Sequence, residues 1–312
     1  MASTTLTDSR ERPTPDGKTV QAGYDAAGNR VSFTNPGAVI TQATYDAASR
    51  LIQLTQGALS WTFTYDGAGN RALLSQPNGT STTCSYQPNN WLSSIAHQGP
   101  AGPIQNVSYT YDPNGNRLTQ ADSTGTSSFT YDPLNRLTQA VYPGTWGAWN
   151  WTYDAVGNRT QQVAPTGVTT YTYDANNRLN SAGASNYTYD ANGNLTAIST
   201  GQSFSYNAFN QMIQATGPGG TATYSYNGAG LKTQRTGPDG VARYYYDGIK
   251  PIWETDGAGA MTAQLDRDIF GNLLSRQDMT GRRYYHPDGL GSTVALTNAD
   301  KRNPPPGPFH LK

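Results

Sequence analysis

Glutamate and lysine are nearly missing from this 312-residue chain: Glu stands only at Glu11 and Glu254, and Lys occurs five times. These straight-chain residues fill the exposed faces of helices, so their scarcity excludes a helical or α/β protein. Cysteine is reduced to Cys84, which has no internal disulfide partner. No apolar run approaches 18 residues, and the opening Met1-Ala-Ser-Thr-Thr-Leu-Thr-Asp8 lacks an apolar core, so neither a membrane-spanning helix nor a secretory signal peptide is expected. Charge of one sign is lacking too. The 21 Lys and Arg balance 21 Asp and Glu without a block of either, which makes nucleic acid and anionic membrane surfaces poor partners.

What the chain has instead is tyrosine, 21 of them, with 34 Gly and 19 Pro. Tyr-Asp recurs at Tyr24, Tyr45, Tyr65, Tyr111, Tyr131, Tyr153, Tyr173, Tyr189 and Tyr246, with variants at Tyr86-Gln87, Tyr206-Asn207 and Tyr226-Asn227, at a spacing near 20 residues. Before each Asp an aromatic alternates with Thr or Ser, as in Tyr109-Thr-Tyr111, Phe129-Thr-Tyr131 and Trp151-Thr-Tyr153. Period two reads as a strand with rings on one face and hydroxyls on the other. Each unit is therefore strand, tight turn, strand, connection. The expected layout is an irregular segment 1–19, a repeat array 20–283, a distinct closing segment 284–300 and a Pro-rich tail 301–312. So many strands exceed what a flat open sheet sustains, and twist must curl them. The expected fold is an all-β sheet spiralling into a partial shell.

The turn residues carry the pattern. Tyr24, Asp25, Gly28 and Arg30 recur as Tyr65, Asp66, Gly69 and Arg71, as Tyr111, Asp112, Gly115 and Arg117, and as Tyr153, Asp154, Gly157 and Arg159. After Asp46, Asp132 and Asp174 the Arg comes one residue sooner and the Gly is absent. This predicts two loop lengths, the longer one with its glycine at positive φ. The Asp is expected to accept local backbone amides. The Arg either pairs with an Asp of its own or the next turn or keeps the turn solvated.

The block Tyr-Asp-x-x-Gly-Asn-Arg, repeated over most of the chain, resembles the Rhs/YD-repeat family of bacterial Rhs and polymorphic toxin shells, toxin-complex C-components and teneurins. Tyr284-Tyr-His-Pro-Asp-Gly-Leu-Gly-Ser292 is similar to the segment that opens that family's conserved core. The resemblance implies a hollow β-shell that encloses or presents a C-terminal effector, on a secreted or cell-surface protein. Where the family continues into further repeats, this sequence runs into Asn303-Pro-Pro-Pro306, which reads as a truncated shell without the self-cleaving junction.

Chemistry is sparse. Asp112-Pro-Asn114-Gly-Asn116 echoes a calcium loop but offers one carboxylate per turn, and no metal or cofactor is expected. His97, His286 and His310 lack metal-ligand spacing; His286 could pair with Asp288, though a structural role is the simpler reading. Asp266 and Asp268 flank Arg267 without the separation of an acid/base pair. No enzymatic activity is expected. Trp146, Trp149 and Trp151 could stack on a cell-surface glycan, against the plainer alternative that aromatics pack on one another. Unpaired edge strands would make the chain its own partner, adding end to end.

Overall fold

A computed structural model describes residues 8–13 and 17–298. Their regular structure is all β, 29 antiparallel strands with one three-residue 3-10 turn, Gly144–Trp146. Asp8–Pro13 pairs with Thr19–Tyr24, so the segment expected to be irregular contributes a strand. The closing segment, expected to be distinct, forms the hairpin Gly281–Pro287 and Thr293–Asn298 in the same style as the rest. The tail 301–312, with His310, lies outside the described residues.

Alternation decides the strands. In Gly102–Tyr111, Tyr109 is buried, Thr110 exposed and Tyr111 half-buried. Each Tyr-Asp hairpin from Tyr24 to Tyr189 then carries a β-bulge. Thr110 faces Thr119 but Tyr111 faces Arg117, which leaves Leu118 over. The same slip leaves Ile52 and Ile213 unpaired, and all three are exposed for that reason.

The chain divides into two units, one of Met1–Val107 with Arg243–Lys312, the other of Ser108–Ala242. Unit one has a conventional core: Leu51, Leu54, Trp61, Phe63 and Leu74 from its early strands pack with Leu274 and Tyr284 from its late ones. A second cluster joins Val20 to Tyr245, Ile252 and Trp253. In unit two only Tyr109, Phe129 and Ala140 are buried among the described residues. Its other strand rings are half-buried and its outward strand positions, such as Thr130, Thr152 and Thr172, are exposed hydroxyls.

Candidate functional site

The turn row comes first, because the repeat residues converge there. In the turn after Tyr24, Asp25 N–H donates to the Asn29 carbonyl and Gly28 N–H to the Asp25 carbonyl. The carboxylate closes the rest: Oδ1 accepts the amides of Ala27 and Asn29, and Oδ2 accepts Asn29 Nδ2. The turn after Tyr45 is built identically, with Ser49 N–H to the Asp46 carbonyl and Asp46 N–H to the Arg50 carbonyl. The two expected loop lengths are therefore one length. Arg50 occupies the position of Asn29, and its Nε donates to Asp46 Oδ2 at 2.7 Å where the Asn amide otherwise would. Arg136 and Arg178 do the same for Asp132 and Asp174. What looked like a missing residue is a substitution at the fifth position of the turn.

The position before it takes positive φ in both versions. Gly28, Gly69, Gly115 and Gly157 occupy it at +84°, +88°, +88° and +97°, and Ser49, Asn135 and Asn177 at +57°, +60° and +60°. Glycine and asparagine alternate for a reason. Asn116 Nδ2 reaches forward to Asn135 Oδ1 at 2.7 Å, and Asn158 to Asn177 and Asn194 to Asn210 at 2.9 Å each. A glycine turn donates and the next, non-glycine turn accepts. Replacing Gly115 by Val should cost about 1 kcal/mol or more, since a β-branched residue resists the left-handed region. Thr110→Val, on an exposed strand position, should cost under about 0.5 kcal/mol. Equal thermal midpoints for the two variants would refute the strained turn.

Hydrogen bonds hold these aspartates below the usual carboxylate range: the Asn29 and Asn116 side chains lead for Asp25 and Asp112, and the Arg50 and Arg136 amides for Asp46 and Asp132. Three donors take most of the acceptor sites of each carboxylate. The turn arginines fall into three patterns, one of which is Arg30 and Arg71 facing the distant Asp247 and Asp268. Arg50, Arg136 and Arg178 pair with their own Asp and lie over Tyr65, Tyr153 and Tyr189. Arg117 and Arg159, outside such a pair, lie over Phe129 and Tyr171 and donate to Gln120 and Gln162. The motif tyrosine has its own task. Tyr45, Tyr65, Tyr131 and Tyr153 donate their hydroxyls to the carbonyls of Arg30, Leu51, Arg117 and Leu137 in the preceding hairpin, at 2.7 to 2.9 Å. This explains why the ring before Asp is Tyr while the ring two earlier varies among Phe, Trp and Tyr.

Trp146 is exposed in its 3-10 turn, Trp149 Nε1 is tied to the Trp146 carbonyl, and Trp151 Nε1 to Gln162 Oε1.

Sequence reasoning missed a buried polar seam in unit one. Asp266 accepts Gln264, Gln56 and Ser275 and is ion-paired to Arg282. Burial lowers the Arg282 pKa from its ordinary value. Asp268 caps its own turn through the amides of Phe270 and Asn272 and faces Arg71 at 3.7 Å. Arg30 pairs with Asp247. His286 meets Thr297 and His97 rather than Asp288, whose carboxylate takes the amides of Leu290 and Ser292. No local spacing could announce the contacts of Gln56 with Asp266, Arg71 with Asp268, Arg30 with Asp247 and His97 with His286, which join residues some 200 apart in the chain.

A run of hairpins closed by Tyr-Asp turns and repeatedly tied to the preceding hairpin by a tyrosine hydroxyl defines a YD-repeat sheet protein. The chain belongs to the teneurin YD-shell family, whose model, described as Teneurin YD-shell, matches residues 128–303. Among solved structures, the chain is similar to one in a Photorhabdus luminescens Tc holotoxin pore containing a mutant TccC3, at 20% identity and TM-score 0.75. It is similar also to one in a TcdB2-TccC3-Cdc42 complex, at 19% identity and TM-score 0.74. Each likeness covers 93% of this chain but only 17% and 18% of the other. At such identity the likeness is one of fold. Curated protein sequences give no match.

Proposed function

We propose that this chain is wall material: part of a YD shell that encloses or presents a polypeptide effector outside the cell, with no chemistry of its own. The observation that carries the reading is the turn row, where carboxylates accept the turn's own amides and tyrosine hydroxyls donate to carbonyls of the preceding hairpin. A rigid, self-satisfied sheet with half-buried rings suits enclosure better than catalysis. A second reading, glycan stacking on Trp146, Trp149 and Trp151, has the one exposed ring of Trp146 in its support. Negative-stain imaging of the purified chain is the test. Curved single-layer segments are expected. Solid globules without a concave side would overturn the reading, and long fibres would favour end-to-end self-assembly through edge strands instead.

A further inference from the structure

His97 lies on the strand Leu92–Gly99 and His286 on Gly281–Pro287, near opposite ends of the sequence yet both within unit one. Both are fully buried, and their rings meet edge to face with centroids 5.0 Å apart. His97 Nε2 sits 3.1 Å from the Pro287 carbonyl, an acceptor only, so this nitrogen carries the proton. Its Nδ1 then accepts the Thr82 hydroxyl at 2.9 Å. His286 Nε2 is 3.0 Å from Thr297 Oγ1, while its Nδ1 is buried without a partner. Asn78 completes the junction through its Nδ2, which donates to Thr297 Oγ1 and to the Asn298 carbonyl.

We propose that the His97–His286 contact is an acid-operated latch, which holds the terminal hairpin Gly281–Pro287/Thr293–Asn298 against the Ser81–Tyr86/Leu92–Gly99 hairpin and lets it go when the rings protonate. A second proton on His286 would be a buried N–H with no acceptor, and two imidazolium rings in edge contact would repel in a dry site. The groups bonded to the rings, Thr82, Thr297 and the Pro287 carbonyl, are uncharged. The charged groups of the adjoining elements are engaged elsewhere: Asp288 in its turn, Asp268 with Arg71 and Arg283 with Asp278. Cys84, on the Thr82 strand, stays a neutral thiol because burial raises its pKa. Burial lowers His97 to about 4, and burial followed by the neighbouring ring lowers His286 to about 3. Both values lie below the ordinary 6.5, so the contact is fully stabilising above pH 6.5 and weakens as pH falls toward 4. In the folded chain the turn carboxylates, held below their ordinary range, bind protons only below that window.

Hydrogen exchange on the purified chain between pH 6.5 and 4.5, corrected for intrinsic rates, reads the opening of the terminal hairpin. Two protons taken up on release give an opening constant that grows toward about a hundredfold per pH unit, falling to about tenfold in His97→Gln and to no dependence in His97→Gln with His286→Gln. Ser108–Ala242 contains no histidine and serves as the internal control. A slope below one proton in the unaltered chain, or the same slope in the control unit, overturns the latch. The unaltered chain decides the matter even where a variant fails to fold.

Discussion

Asp266→Ala is expected to destabilise unit one by about 3 to 5 kcal/mol, the range for stripping one partner from a buried ion pair. The carboxylate is 9% exposed and gathers four donors from three parts of the chain: Gln56, Gln264, Ser275 and Arg282. Its removal leaves a guanidinium whose side chain is 12% exposed without its counter-charge. The size of the loss reflects the orphaned cation rather than the worth of the pair. Asp266→Leu combined with Arg282→Met should therefore recover much of it. Urea unfolding of the three proteins checks this; a single-variant loss under about 1 kcal/mol would show that the seam is open to solvent.

Gly37→Ala is expected to cost about 3 kcal/mol, at the upper end of overpacking effects. A Cβ at Gly37 would stand 2.2 Å from Trp253 Cη2 and 2.6 Å from Cζ2. The indole is itself buried against Val20, Tyr245 and Ile252, so the ring has nowhere to retreat. The next residue, Ala38, already holds the left-handed position of that turn at φ +60°. Gly37 is thus required by close approach and Ala38 tolerates the unusual dihedral, the reverse of what their identities suggest. Gly37→Ala paired with Trp253→Leu should regain stability. Additive losses in that double variant would place the strain elsewhere.

The strands and the turn capping were legible because both are local. Alternation in Tyr109-Thr-Tyr111 needs no distant partner, and an Asp that accepts amides two and four residues on announces itself by spacing. The loop-length expectation failed because Arg and Asn differ in identity but share one geometric task, a nitrogen aimed at Asp Oδ2. Counting to the next Arg measured chemistry and mistook it for length. The bulges escaped because the leftover residues, Ile52, Leu118 and Ile213, are ordinary strand formers. The contact of Gln56 with Asp266 and that of His97 with His286 depend on which strands of unit one face each other, which no 20-residue window contains.

The forward reach of each glycine-turn asparagine to the acceptor of the next turn divides the hairpins into two kinds. From Gly28 to Gly230 the left-handed position of the Tyr-Asp-type turns alternates strictly between glycine and Ser or Asn. The heritable unit is then the pair, about 40 residues, although the motif repeats every 20. A gene that gains or loses one motif by unequal crossing-over brings two donors or two acceptors side by side and breaks a bridge at the scar. One that changes by two leaves parity intact. An array of this kind keeps every bridge only where its number of motifs changes by an even step.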